Sequence, residues 1–238
     1  MIDGLVLSSL VLRWLGVEAT PTIEHTDQVR VVDRRNVAKR KLDAASSRRS
    51  PSQVRAVVAH QFDCEFGLTA RQIKRAGGDQ VEALIQRAMD TPYHVVGLRC
   101  GVVVLNHHAD LHTYHAGHGN GGLGLGIEGS FPTLAAERTE KHTPIAAVEA
   151  VARLALREAV SMIEGPGKRI ELQAHRQWSG SRGRDPGEEI WRALRPVADQ
   201  LGMSIDPELA FLPQKGRPIP VEWDERARYD IKGRPVRG

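Results

Sequence analysis

The feature that most restricts the fold of this chain is the alternation of short apolar segments with amphipathic ones. Strongly apolar runs predict buried β-strands at 54–60, 93–98, 101–106, 122–129 and 169–175. Helices are indicated by the spacing of apolar residues over 79–90, 144–163 and 186–203. Strands that alternate with helices predict an α/β or α+β sheet domain, and strands this apolar indicate that both sheet faces are covered. The runs at 93–98 and 101–106 predict a hairpin that turns near Cys100.

Three segments are predicted along the 238 residues: an N-terminal extension with a basic segment (1–50), a main domain (51–205) and an extended tail rich in proline and charge (206–238). A hydrophobic content of 41% is enough for one core. Residues 34–55 carry eight Lys or Arg, which fits either an arm for a polyanion or a solvated helix and linker. Because no aromatic residues interleave for base stacking, we expect no nucleic-acid partner.

The first 19 residues are apolar but make a poor signal peptide. They carry Asp3 and no Lys or Arg before the apolar run, no small-x-small cleavage site follows, and Arg13 interrupts them. The run is also too short to span a membrane. We expect a docking helix or strand, no membrane span and synthesis in the cytoplasm. The pairing of Cys64 and Cys100 stays open.

A candidate site follows from the residues that end three predicted strands: His60, Glu128 and His175. Functional groups gather at strand ends in sheets wrapped by helices, and a short loop brings Asp185 back toward His175. A catalytic zinc ion takes three protein ligands and keeps one position open. His60, His175 and Asp185 supply that number, which leaves Glu128 to move protons at a water activated by zinc.

Each of these residues also has a purely structural interpretation. His60 and His175 fit hydrogen-bonded histidines at strand ends, and Glu128 fits an exposed acid. Asp185 fits a helix N-cap, with Pro186 at the first helical position and Glu188 closing a capping box. Six of the ten histidines lie between residues 94 and 118, as in either a polar surface loop or a cleft that binds substrate.

In order along the chain, five motifs resemble the zinc-dependent N-acetylmuramoyl-L-alanine amidases, the peptidoglycan amidase family that includes phage lysozyme-type amidases and peptidoglycan recognition proteins. They are VVAH (57–60), YHVV (93–96), YHAGHGN (114–120), LGIEG (125–129) and AHRQWSGSRGRDPG (174–187), within residues 54–201. The resemblance implies a central mixed β-sheet flanked by helices and one Zn²⁺. It also implies hydrolysis of the amide between the muramyl lactyl group and L-alanine.

Carried over position by position, the resemblance implies metal ligands at His60, His175 and Asp185 and an acid–base residue at Glu128. His115 would line the cleft and orient the substrate. The residues expected to contact substrate are Tyr93, His94, His118 and Asn120.

The sequence departs from the family at three places. Gly183 replaces a lysine that often lies two residues before the last ligand, so we expect Arg184, or alternatively Arg182, to supply the positive charge. Gly124 stands where Ser or Thr is usual, and Tyr114 replaces a tryptophan.

The expected function is therefore zinc-dependent cleavage of peptidoglycan or soluble muropeptides. It would act on the cell wall, in the manner of an endolysin, or on cytosolic wall fragments. Two alternatives stay open: a non-catalytic peptidoglycan-binding module on the same fold, and a zinc peptidase that cuts within the stem peptide.

Overall fold

A computed structural model gives the fold, and it describes residues 29–37, 48–62, 68–116, 121–163, 169–211 and 215–236. The strands are β1 (Arg30–Asp33), β2 (Ala56–Phe62), β3 (Val95–Leu98), β4 (Val102–Leu105), β5 (Leu123–Glu128) and β6 (Glu171–Ala174). The helices are α1 (Ala70–Arg75), α2 (Gln80–Ala88), α3 (Glu149–Ser161), α4 (His175–Trp178) and α5 (Glu188–Gln200). Within these ranges, no helix is both long enough and apolar enough to cross a membrane.

The six strands form one mixed sheet in the order β1-β4-β3-β5-β2-β6. Only β3 and β4 pair antiparallel, through the hairpin that the sequence predicts; the other neighbouring strands run parallel. The predicted α/β class with a central mixed sheet is confirmed. The carboxyl ends of β2, β5 and β6 lie together at one edge of the sheet, because these strands are parallel neighbours.

Helices cover both faces of the sheet, as the apolar strands predict. On one face, α3 and α5 pack on Ala59 of β2, Ile127 of β5 and their neighbours. On the other face, α2 packs on alternate residues of β3 and β4, including Val96 and Val104. Because side chains alternate along a strand, His60 points to the α2 face when Ala59 points to the α3 face.

The described parts of both predicted extensions pack with the main domain. In the segment predicted as an N-terminal extension, β1 adds an edge strand beside β4. The C-terminal segment is packed and not extended, because Ile219 and Trp223 lie in the core with at most 2% exposure. The expected docking element at 1–19 and residues 38–47 of the basic segment lie outside the described residues.

Buried Arg176, the second residue of α4, holds the C-terminal segment to the domain. Its guanidinium lies 4.8 Å from the centre of the Trp223 ring. It donates to the carbonyl of Gly183 at 2.7 Å and to that of Ile231 at 3.4 Å. Burial lowers the pKa of Arg176 to about 10, so the side chain still carries a charge at neutral pH. The C-terminal segment and the loop before Asp185 are therefore joined through one side chain.

Two further differences from the sequence predictions are local. The helix expected to begin at Pro144 starts as a 3₁₀ turn, Ile145–Ala147, and α3 follows from Glu149. Cys100 is a buried free cysteine whose pKa burial raises to about 11, and Cys64 lies outside the described residues.

Candidate metal and active site

The candidate site forms where β6 ends beside the middle of β2. Ala59 of β2 is level with Ala174, the last residue of β6. His60 therefore follows its strand neighbour at the same edge at which His175 opens α4. Both imidazoles are buried, with exposures of 0% and 8%. Parallel pairing thus brings together two histidines that are 115 residues apart in sequence.

Three side-chain atoms converge at this edge. The Nδ1 atoms of His60 and His175 lie 2.9 Å apart. Oδ2 of Asp185 lies 3.0 Å from Nδ1 of His175 and 3.9 Å from Nδ1 of His60. A single proton on Nδ1 of one ring cannot satisfy all three contacts, whereas a cation between the atoms would attract every lone pair. The sequence-predicted ligands are therefore the three residues that the fold brings together.

This set of atoms fits a zinc ion. Bonds of about 2.0–2.1 Å in a tetrahedral site place neighbouring ligand atoms about 3.3 Å apart, a value inside the observed range. Two imidazoles and one carboxylate are donors that zinc prefers, and three ligands leave one position open. Burial lowers the pKa of His60 well below its ordinary value, and His175 and His115 lower it further. The neutral ring keeps the lone pair that a ligand needs.

Asp185 is oriented by the backbone of β2. Its Oδ1 accepts the N–H of Gln61 at 2.8 Å, which leaves Oδ2 facing the two histidines. The capping-box interpretation of Asp185 is wrong: the N-cap of α5 is Gly187, and it has no side-chain cap. Glu188 instead accepts the backbone N–H of Ala135 at 2.7 Å. The carboxylate of Asp185 is thus committed to the site and does not cap the helix.

Two glycines of β5 make room for rings that surround His60. A Cβ at Gly124 would lie 2.7 Å from the His115 ring, and one at Gly126 would lie 2.4 Å from the Tyr93 ring. Nδ1 of His115 is 3.0 Å from Nε2 of His60, and the centre of the Tyr93 ring is 4.9 Å from that of His60. The glycines of β5 therefore leave the space that the rings of His115 and Tyr93 occupy beside His60.

The titration of both ring residues is shifted toward the neutral form. Burial lowers the pKa of His115 to about 3. Burial, reinforced by the charge of Asp185, raises the pKa of Tyr93, while Arg182 opposes the shift. Tyr93 therefore keeps its hydroxyl proton and can donate a hydrogen bond.

The other residues predicted to contact substrate are placed differently. His94 is fully buried; its Nδ1 accepts the N–H of Gly124 at 3.0 Å and its Nε2 donates to the carbonyl of Leu111 at 2.9 Å. Neither ring nitrogen is left for a ligand, contrary to the expectation from sequence. His118 and Asn120 lie outside the described residues, so their predicted roles stay predictions.

Glu128 ends β5 on the same face as His60, and it is 1% exposed. Its Oε2 accepts the backbone N–H of Arg99 at 2.9 Å, and its Oε1 lies 3.7 Å from the Arg99 guanidinium. By register, Gly126 is level with His60, so Glu128 stands two residues farther along, roughly 6.6 Å. In the described part of the chain it makes no hydrogen bond with the three candidate ligands, and the exposed-acid interpretation is wrong.

Three arginines surround the position of Gly183. The charge of Arg182 acts on both His60 and Tyr93. Arg184 is exposed, and its backbone carbonyl accepts the side-chain amide of Gln61 at 3.2 Å. Arg217, from the C-terminal segment, places Nη1 3.3 Å from where a Cβ of Gly183 would lie. The roles predicted for Arg184 and Arg182 stay predictions.

Two supporting residues escaped the sequence analysis. Gln61 holds Asp185 through its main chain, which any residue type can do, so no sequence signal marks it. Arg49 donates to the carbonyls of Ala109 and Gly122, both at 3.1 Å. It lies in the run of basic residues that we interpreted as an arm or linker, and only the fold shows its contacts.

Comparison with known proteins gives distant structural similarity alone. No protein-family model matches the chain, and no curated protein matches it. The structure is similar to N-acetylmuramoyl-L-alanine amidase LysC from Clostridium intestinale, with 16% identity, a TM-score of 0.42 and coverage of 73% of this chain and 98% of that one. Drosophila peptidoglycan recognition protein SD aligns at 22% identity and TM-score 0.46, covering 74% and 98%. The Ph2119 endolysin from a Thermus scotoductus bacteriophage aligns at 15% and 0.43, covering 73% and 99%.

Proposed function

We propose that this protein is a zinc-dependent amidase that hydrolyses the bond between N-acetylmuramic acid and L-alanine in peptidoglycan or muropeptides. The observation that carries the proposal is the convergence of His60, His175 and Asp185 at one buried point. The ordered motifs shared with the peptidoglycan amidases supply the substrate class.

The three ligands would hold a zinc ion with one position open to water and substrate. Zinc in such a site lowers the pKa of a bound water from 15.7 to about 7 and polarises a neighbouring carbonyl. Proton transfer and the stabilisation of negative charge are assigned to side chains of this protein.

Glu128 is proposed as the acid–base residue. Its carboxylate would accept the water proton and then give it to the amine of L-alanine as the amide breaks. The backbone N–H of Arg99 holds one carboxylate oxygen in place, so the group is oriented before substrate arrives.

Tyr93 and Arg182 are proposed to stabilise negative charge on the lactyl carbonyl oxygen. The Tyr93 hydroxyl stays protonated and is a neutral hydrogen-bond donor. The Arg182 charge acts on the same cluster. Donors that are fixed before the reaction are usually the largest contribution to catalysis of acyl transfer.

A second candidate is a peptidoglycan-binding module without catalysis, and Gly183 favours it. Gly183 has no side chain at the position where the family that this sequence resembles often has a lysine. Exposed arginine side chains are a less constrained source of charge than a residue on the loop that carries Asp185.

The deciding experiment incubates purified peptidoglycan and soluble muropeptides with the protein and measures new L-alanine amino termini. It is run with chelator, and again after zinc is restored. Release that needs zinc supports the amidase, and new termini within the stem peptide instead indicate a peptidase. Binding to peptidoglycan without any release supports the binding module.

A further inference from the structure

His60 makes contacts through both of its ring nitrogens, and the two contacts differ in kind. Nδ1 faces His175 and Asp185, whereas Nε2 faces Nδ1 of His115 at 3.0 Å. Nε2 of His115 in turn lies 3.3 Å from the carbonyl oxygen of Gly122. The contacts form a series from the candidate metal site through two imidazoles to the backbone carbonyl of Gly122, the residue before β5.

The Gly122 carbonyl, at the end of this series, fixes the direction of every hydrogen bond in it. A carbonyl oxygen only accepts, so Nε2 of His115 must carry the proton. A neutral His115 then presents a bare Nδ1, which accepts the proton on Nε2 of His60. Nδ1 of His60 is consequently without a proton, and its lone pair points toward His175 and Asp185.

Two features other than the histidines hold this hydrogen-bonded series in place. The Arg49 guanidinium donates to the same Gly122 carbonyl at 3.1 Å, so the oxygen accepts two hydrogen bonds and its direction is fixed. The His115 ring rests on Gly124, where a Cβ would come within 2.7 Å of it. The ring is 6% exposed, which leaves it little surface for a substrate.

We propose that His115 is a positioning residue, supported by Arg49 through Gly122, that holds His60 in the tautomer whose Nδ1 is free to bind metal. The inference rests on the metal site of the proposed function, and it replaces the cleft-lining role expected from the sequence. Hydrogen-bond partners of this kind typically contribute about 10- to 100-fold in metal affinity.

The test measures the zinc dissociation constant by chelator competition for the wild type, His115→Phe and His115→Gln. Phenylalanine keeps a ring over Gly124 but cannot accept the His60 proton, so we expect zinc to bind about 10- to 100-fold more weakly. Glutamine offers an amide oxygen to His60 and an N–H to Gly122, so we expect most of the affinity to return. His112→Phe, the same substitution in the same segment, should bind zinc like the wild type.

A second measurement uses the wild-type protein alone, in case His115→Phe does not fold. Nitrogen-15 NMR at neutral pH, with zinc bound, should show protons on Nε2 of both His60 and His115. A proton on Nδ1 of His115 would overturn the proposal, as would wild-type affinity in a folded His115→Phe protein. Failure of the wild type to bind zinc would instead refute the proposed function itself.

Discussion

Oδ1 of Asp185 accepts the backbone N–H of Gln61 at 2.8 Å, which ties the third candidate ligand to the strand that carries the first. His60 and Gln61 are neighbours in β2, so the position of the carboxylate relative to His60 is fixed by main chain. The position of the Asp185 carboxylate is therefore set by the folded sheet.

This relationship predicts that the ligand and structural roles of Asp185 can be separated. In Asp185→Asn, the amide oxygen can keep the Gln61 bond, but the NH₂ group has no lone pair for a metal. We expect zinc affinity to fall by more than about 100-fold, beyond the usual effect of an outer hydrogen-bond partner. Chelator competition measures the affinity, and thermal unfolding of the zinc-free variant should stay close to that of the wild type.

Asp185→Ala is the matched comparison, because it removes both roles. It leaves the Gln61 N–H without its acceptor, which costs about 1–3 kcal/mol in unfolding free energy. Equal zinc binding by the wild type and Asp185→Asn would show that the carboxylate is not a ligand.

Glu128→Gln should separate catalysis from metal binding. Glutamine can still accept the Arg99 N–H through its amide oxygen, but it cannot carry the water proton. We expect turnover to fall by about 10²- to 10⁴-fold, the range for general acid–base residues, with zinc content unchanged. Release of L-alanine amino termini measures turnover, and metal analysis measures zinc content.

A Glu128→Gln protein with normal turnover would remove Glu128 from the mechanism and leave the metal site untouched. Loss of zinc together with turnover would mean that the carboxylate supports the metal site itself.

The zinc-free protein should lose stability as pH falls below about 6.5. Burial is the main reason why the pKa values of His60, His94 and His115 are lowered in the folded state, to about 3 for His115. The unfolded chain, with ordinary histidine pKa values near 6.5, binds protons that the folded chain does not bind. The stabilisation is complete above that pH and is lost as pH falls, by up to about 1.4 kcal/mol per pH unit for each histidine.

Urea unfolding of chelator-treated protein between pH 7 and pH 5 measures this slope. His115→Gln should lower the slope by about one proton, because it removes one of the three groups. A free energy of unfolding that is constant over this range would show that the three rings are already charged or accessible in the folded state.

Trp223→Ala should destabilise the whole domain although the residue lies in the C-terminal segment. The Trp223 ring is 2% exposed and packs beneath Arg176, and its Nε1 donates to the Thr133 carbonyl at 2.6 Å. Truncation of a buried tryptophan costs about 3–5 kcal/mol in unfolding free energy, and chemical denaturation measures it. Val236→Ala, at a 44% exposed site in the same segment, is the control that should change little.

The placement of His60 and His175 late in or just after their strands could be predicted because short-range patterns encode it, although β2 continues past the predicted end at His60 to Phe62. The apolar run of β2 ends in a polar residue at His60, and β6 similarly hands over to His175. When two such strands are parallel neighbours, their carboxyl ends necessarily lie at the same edge of the sheet. The fold class and the two-sided burial follow from the same periodicities.

The remaining features depend on contacts that local pattern does not specify. Asp185 fits a capping box in sequence, but its carboxylate bonds to a strand more than a hundred residues away. The C-terminal segment is rich in proline and charge, yet Ile219 and Trp223 are buried in the core, and Trp223 contacts both Arg176 and the Thr133 carbonyl. His94 and His115 look alike in a histidine-rich stretch, and their different partners are fixed by tertiary structure.

The close approach of the His115 ring to Gly124 also constrains how this sequence can change. A side chain at position 124 meets the ring at 2.7 Å unless position 115 has first become smaller. The two positions are thus coupled: a side chain at 124 requires the ring at 115 to move or to be replaced by a smaller residue.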